Sequence, residues 1–71
     1  MKTELIIKNG IGKAENSNGK FTVLKIGGLY NLSFARPSEP WSWWVKENVK
    51  RLSTIQRYAD NHGYDIEIKE V

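Results

Sequence analysis

The chain has 71 residues, with 11 lysines and arginines, 8 acidic residues and no cysteine, which gives a formal net charge of +3. This length predicts one small domain over residues 1–71, and the lack of cysteine excludes disulfides and thiolate metal sites. No apolar run approaches the roughly 20 residues of a membrane span and no signal-peptide pattern is visible, so we expect a soluble, cytoplasmic protein without membrane contact.

The first predicted element is a strand over residues 3–8, which are rich in aliphatic and β-branched side chains. Residues 9–19 are rich in glycine and asparagine and offer little to bury. Two interpretations stay open for them: a flexible loop, or an extension of the first strand with a bulge at Gly10 or Gly12. Asn18-Gly19 indicates a hairpin turn in either case.

Residues 20–36 predict a β-hairpin, because Gly27-Gly28 supplies a two-residue turn between two strand-like segments. The expected pairs across it are Ile26 with Leu29, Val23 with Leu32 and Phe21 with Phe34. Cross-strand partners share a face of the sheet, so one face becomes the side that faces the core. Its residues are Phe21, Val23, Tyr30, Leu32 and Phe34.

The second face of this hairpin carries Leu24, Ile26 and Leu29, and a fully solvated face is normally more polar than this. We therefore expect that face to be covered. One cover is a second copy of the chain, which gives a symmetric homodimer with Leu24, Ile26 and Leu29 as self-association residues. The alternative cover is the segment 9–19 folded back over it.

Residues 38–63 predict the only long helix. Ser38 is a good N-cap, Pro40 falls in the first turn, and Gly63 suits the left-handed position after the helix end. At 100° per residue, one arc forms the expected core face. Its members are Trp41, Trp44, Val45, Val49, Leu52, Ile55 and Ala59. Trp41 and Leu52 lie near its middle and should be buried against Phe21, Val23, Leu32 and Phe34.

The opposite face of this helix carries Trp43, Lys46, Lys50 and Arg57 without a carboxylate, over about 21 Å. Most basic helix faces are simply solvated. A large indole pointing away from the core leaves apolar area in water, however, and tryptophan is enriched at binding hot spots. These four residues are therefore the candidate partner-binding residues, and Trp43 is expected to be exposed.

The last predicted element is a strand over residues 64–71, in which Tyr64, Ile66 and Ile68 point inward and the residues between them point outward. The resulting order is β-β-β-α-β. It predicts a two-layer α+β fold, with a single helix packed on one face of a four-stranded, mostly antiparallel sheet. A right-handed crossover places the last strand parallel to the third.

Catalytic chemistry is not indicated by this sequence. His62 is the only histidine and lies at the predicted helix end, where capping explains it, and the serines have no neighbouring base. We therefore expect that the protein is not an enzyme and that it has no cofactor and no metal site.

The functional prediction is therefore a small, non-catalytic binding protein that docks on a protein partner and modulates or inhibits it. The contact is made by Trp43 with the basic helix face or, alternatively, by the aromatic segment Trp41-Ser42-Trp43-Trp44. The alternative is a nucleic-acid-binding protein that uses the basic outer face of the helix, with Trp43 stacked on a base. In size and composition the chain is similar to small accessory proteins of phages and mobile elements, which include inhibitors of bacterial defence. That resemblance covers no motif.

Overall fold

The computed structural model contains six strands and one helix, in the order β1-β2-β3-β4-β5-α1-β6. Strands β2 to β5 form an antiparallel sheet in that order, and β1 pairs with β6 in parallel. The predicted α+β class, with one helix and a four-stranded antiparallel sheet, is confirmed. The elements are β1 (Thr3–Ile7), β2 (Ile11–Asn16), β3 (Gly19–Ile26), β4 (Leu29–Ala35), β5 (Trp43–Val49), α1 (Leu52–Asn61) and β6 (Ile66–Glu70).

Tight turns connect the first four strands. Gly27 and Gly28 have φ of 58° and 80°, which is the type I′ geometry that suits a two-residue hairpin. The predicted register of this hairpin is confirmed, with Phe21 opposite Phe34. Asn9 and Gly10 form a second such turn, with φ of 56° and 82°. The chain reverses there and residues 11–16 form a separate strand, so both interpretations of 9–19, a flexible loop and a bulged extension of the first strand, are wrong.

The prediction of a helix over residues 38–63 is wrong for its first half. The helix begins only at Leu52, Ser38 lies in a turn, and residues 43–49 form strand β5 instead. Tryptophan and valine are favourable strand residues, and pairing with β4 overrides the helical spacing of the same side chains. The chain therefore contains two more strands than the predicted β-β-β-α-β order.

The predicted end of the helix is confirmed. His62 is the C-cap and Gly63 follows with φ of 67°. The Tyr64 N–H donates to the Ala59 carbonyl at 3.0 Å, and the Gly63 N–H donates to the Asp60 carbonyl at 3.2 Å, which together form a Schellman motif. The helix has ten residues, and no helix in the structure has the length and apolar character needed to cross a membrane.

The core lies between the inner face of the four-stranded sheet on one side and α1 with the β1-β6 pair on the other. Eleven buried residues form it: Leu5, Ile7, Phe21, Val23, Tyr30, Leu32, Ile55, Ala59, Tyr64, Ile66 and Ile68. Leu52 is only partly buried against this cluster. The expected burial of Trp41 and Trp44 is wrong, because Trp41 lies outside any element and Trp44 points away from the core on β5.

The last strand does not lie beside the third predicted strand, because β6 pairs with β1. The side-chain amide of Gln56 on α1 forms hydrogen bonds with the backbone of this strand, as a neighbouring strand would. Its amide donates to the Ile66 carbonyl at 2.9 Å and accepts from the Ile68 N–H at 2.7 Å. Backbone groups of β6 that β1 does not reach are thereby satisfied by the helix.

Glu70 links the end of β6 to the β3-β4 hairpin. The Tyr30 hydroxyl donates to one of its carboxylate oxygens, and the Lys25 ammonium lies 3.2 Å from the other. These two hydrogen bonds, the one from Tyr30 first, lower the pKa of Glu70. The parallel pair and the larger sheet are thus joined at this corner by a charged contact as well as by the core.

Candidate functional site

Strand β5 is the most exposed element of the fold. It is the terminal strand of the four-stranded sheet, and it is the one element without a single fully buried residue. Trp43 is 39% exposed and Trp44 45%, while Trp41 just before the strand is 60% exposed. All three tryptophans of the chain therefore contact solvent within four consecutive residues.

The position of β5 is fixed at its far end by a buried amide. The Asn31 side chain donates to the Leu24 and Leu29 carbonyls at 3.3 Å and accepts from the Asn48 N–H at 2.9 Å. Asn48 adopts φ of 57°, a left-handed conformation that asparagine tolerates better than most residues. The register of β5 against β4 also shifts twice, so the strand is bent as well as exposed.

Trp43 is held in place by aromatic contacts. Its ring meets Phe34 edge-on at 5.5 Å between centroids, and Phe34 stacks on Tyr64 at 4.9 Å. The guanidinium of Arg36 lies 5.8 Å from the Trp43 ring centroid and forms a 3.6 Å ion pair with Glu39. One side of the indole is therefore packed while the rest faces water.

A shallow groove lies between β5 and α1. Its lining residues are Lys46, Thr54, Arg57, Tyr58 and Asn61. The Lys46 ammonium lies 6.0 Å from the centroid of the Tyr58 ring, which stacks on His62 at 3.9 Å. The His62 Nδ1–H donates to the Tyr58 carbonyl at 2.8 Å, so this histidine completes the helix end. The groove thus combines two cations with an aromatic ring.

Four cations on β5, on the connection after it and on α1 are free of ion pairs. Lys46, Lys50, Arg51 and Arg57 have no carboxylate within 4.0 Å, although five ion pairs occur elsewhere in the molecule. Glu47 is the only acidic residue between Trp43 and Ala59. A second depression, on β2 and β3, contains Glu15 between two lysines and is therefore less basic. Four cations without ion pairs therefore lie on or next to β5 and α1.

The predicted partner-binding residues are only partly brought together. Trp43 is exposed as predicted, but it lies on a strand and not on the outer face of a helix. Lys46 and Arg57 line one groove from two different elements, and Lys50 lies on the two-residue connection between them. The prediction of one helical stripe is wrong, because Arg57 is the only basic residue within α1.

Sequence reasoning missed Arg51 and Tyr58 as members of this surface, and it named Trp44 only within the alternative aromatic contact while placing it on the core face of a helix. The consecutive bulky residues Trp43, Trp44 and Val45 have high strand propensity, and that signal could have placed both tryptophans on an edge. Arg51 and Tyr58 carried no comparable signal, since their positions follow from where the helix begins.

The predicted self-association residues lie together on the outer face of the sheet. Leu24 and Leu29 are half-buried, and Ile26 is 61% exposed. Segment 9–19 does not cover this face, because β2 pairs edge to edge with β3 and extends the sheet sideways. By strand alternation β2 adds Ile11 to the same face. The homodimer stays a prediction.

No group of three or more histidine, aspartate or glutamate side chains is placed to hold a metal ion. No known protein family, curated protein or solved structure significantly resembles the chain.

Proposed function

We propose that this protein is a small, non-catalytic binding protein that docks on a protein partner and modulates or inhibits it. The supporting observation is strand β5: it carries two tryptophans and two valines, yet none of its residues is fully buried. A strand with this composition normally buries one face. Val45 and Val49 pack partly against the core, so burial of the two indoles by a partner would supply the apolar contact that the fold itself leaves unmade.

Nucleic-acid binding is the second candidate function. It is favoured by four unpaired cations, Lys46, Lys50, Arg51 and Arg57, next to exposed indoles that could stack on bases. The basic helix face predicted for this function is not formed, because Arg57 is the only basic residue within α1. The two functions separate by salt dependence, since each phosphate contact adds to the slope of log K against log salt. Membership among phage or mobile-element accessory proteins stays a prediction from size and composition.

The direct test is capture of the partner and measurement of its affinity for variants. Immobilised protein retains the partner from a lysate of the source cell, and the dissociation constant of the purified partner is then measured. Trp43→Ala should weaken binding by at least about 2 kcal/mol, which is about 30-fold, because an anchor residue carries much of the binding energy.

Ile6→Ala is the matched control, because Ile6 is 46% exposed and lies on β1, which does not pair with β5. It should leave the dissociation constant unchanged. Trp43→Ala should also cost about 1 kcal/mol of stability, since the indole packs on Phe34, so binding is measured on protein shown to be folded by circular dichroism. A partner that binds Trp43→Ala and the parent equally tightly would exclude this surface.

A further inference from the structure

The free side of β5 offers unpaired backbone groups. β5 pairs only with β4, and none of the backbone hydrogen bonds formed outside helices and strands involves residues 43–49. The Asn48 N–H is the only β5 backbone group bonded to a side chain. By contrast, Gln56 bonds to two backbone groups of β6, and a turn and a backbone bridge join β2 to β1. Beyond Ile11 the outer side of β2 is also unpaired, so the sheet has two open edges, and β5 is the one that carries the indoles.

The side chains of β5 are arranged to flank an added strand. Trp43 lies opposite Phe34 and Trp44 opposite Ser33, so the two indoles project to the two faces of the sheet. A strand added beside β5 would have one indole near its side chains on each face, at the spacing of cross-strand neighbours. Both tryptophans would lose exposed area in the same step.

The charge beside β5 fits an acidic partner. Lys46, Lys50, Arg51 and Arg57 carry no ion pair, and Glu47 is the only acidic residue between Trp43 and Ala59. The acidic residues on either side of this stretch, Glu39 and Asp60, are paired with Arg36 and Lys2. A second copy of the chain would bring the same cations against one another, which is unfavourable. A nucleic-acid backbone would neutralise them, but phosphates only accept hydrogen bonds, whereas an open strand edge presents donors and acceptors in alternation.

We propose that β5 takes an extended, acidic segment of a protein as a fifth strand of the sheet. This inference rests on the proposed function and adds to it the chemistry of the partner. Backbone hydrogen bonds to β5 would supply affinity, while the indoles and the basic groups would select sequence and charge.

The test uses blocked peptides of about eight residues, long enough to match the seven residues of β5. One peptide alternates glutamate with valine, a second replaces glutamate by lysine, and a third replaces alternate valines by proline, which cannot pair as a strand. Binding is followed by tryptophan fluorescence, and backbone amide exchange of β5 is followed by NMR. An oligothymidine of similar charge is the nucleic-acid probe.

The glutamate-valine peptide should bind at least about tenfold more tightly than either altered peptide and should slow amide exchange in β5. Lys46→Glu should weaken it by about tenfold, whereas Lys13→Glu, the same charge change on β2, should have little effect. Equal binding of the proline peptide, binding without protection of β5 amides, or no binding would overturn the inference. So would binding of oligothymidine alone, or β5 protection in a dimer without peptide.

These outcomes are distinguishable from failure of the proposed function. If the captured natural partner is lost on Trp43→Ala but does not protect β5 amides, the contact surface stands and strand addition does not. If the captured partner is insensitive to Trp43→Ala, the proposed function itself fails.

Discussion

Gln56 provides the sharpest test of how α1 and β6 are joined. Gln56→Ala removes the hydrogen bonds to the Ile66 carbonyl and from the Ile68 N–H, which are 2.9 and 2.7 Å long. Each costs about 1 kcal/mol or more when a buried partner is left unpaired. Alanine returns a few tenths of a kcal/mol through its helix propensity, so the net loss should be about 2 kcal/mol. A chain of this length has roughly 4–10 kcal/mol in total.

Urea denaturation followed by circular dichroism measures this loss, and at about 4–8 °C per kcal/mol the Tm should fall by about 10 °C. NMR should show faster exchange of the Ile68 amide. Ser53→Ala is the matched control, because Ser53 is exposed on the same helix and makes no side-chain hydrogen bond; it should change stability by less than about 0.5 kcal/mol. A Gln56→Ala variant as stable as this control would refute the role of the amide.

Two further outcomes concern stability. Gly19→Ala should lower the free energy of unfolding, measured by urea denaturation, by about 3 kcal/mol, because Gly19 has a φ of 148° and an added Cβ would collide with the Ala35 carbonyl oxygen. Gly27→Ala should lower it by only about 1 kcal/mol, because Gly27 has a φ of 58° but an added Cβ meets no other atom. Equal losses for the two variants would contradict the clash. The Tyr30 hydrogen bond lowers the pKa of Glu70 in the folded protein, so its stabilisation is complete above the unfolded-state value of about 4.3 and is lost as pH falls through the lower folded-state pKa. Glu70→Gln should flatten that acid-side loss in a pH series of melting curves, and an unchanged profile would contradict the assignment.

The sequence was most informative where one local rule determined the conformation. Gly27-Gly28 fixed both the turn and the register of the β3-β4 hairpin, and Gly63 marked the end of the helix. The alternation of Tyr64, Ile66 and Ile68 correctly predicted their burial. Each of these features is determined by a few neighbouring residues and not by contacts between residues distant in sequence.

Strand β5 was missed because its apolar residues recur at helical spacing although they also have high strand propensity. Trp44, Val45 and Val49 recur at helical spacing, and the same residues are good strand formers. Pairing with β4 decides between the two, and that pairing is a tertiary contact which local spacing does not reveal. The prediction of the candidate site contained the same error. Trp43 was correctly expected to be exposed, but on the outer face of a helix and not on a strand.

The sequence did not identify β2 as a strand, because the residues of β2 that face the core are small. Gly12 faces β1, where a Cβ would lie 2.7 Å from Leu5 and 2.8 Å from the Ile6 carbonyl. Ala14 lies opposite Phe21 and fills the next inward position. A strand whose buried side consists of glycine and alanine gives no hydrophobic alternation to detect, although the close packing of β1 requires such residues.

The pairing of β1 with β6 has a consequence for how the chain folds. These strands come from opposite ends of the sequence, and the Lys69 ammonium reaches Glu4 across 65 positions. Closing so long a loop is slow relative to the local β3-β4 hairpin, so the hairpin should form early and the terminal pair late. On the ribosome, Leu5 and Ile7 must wait for Ile66 and Ile68 to emerge, and until then two buried side chains of the N-terminal strand lack their neighbours.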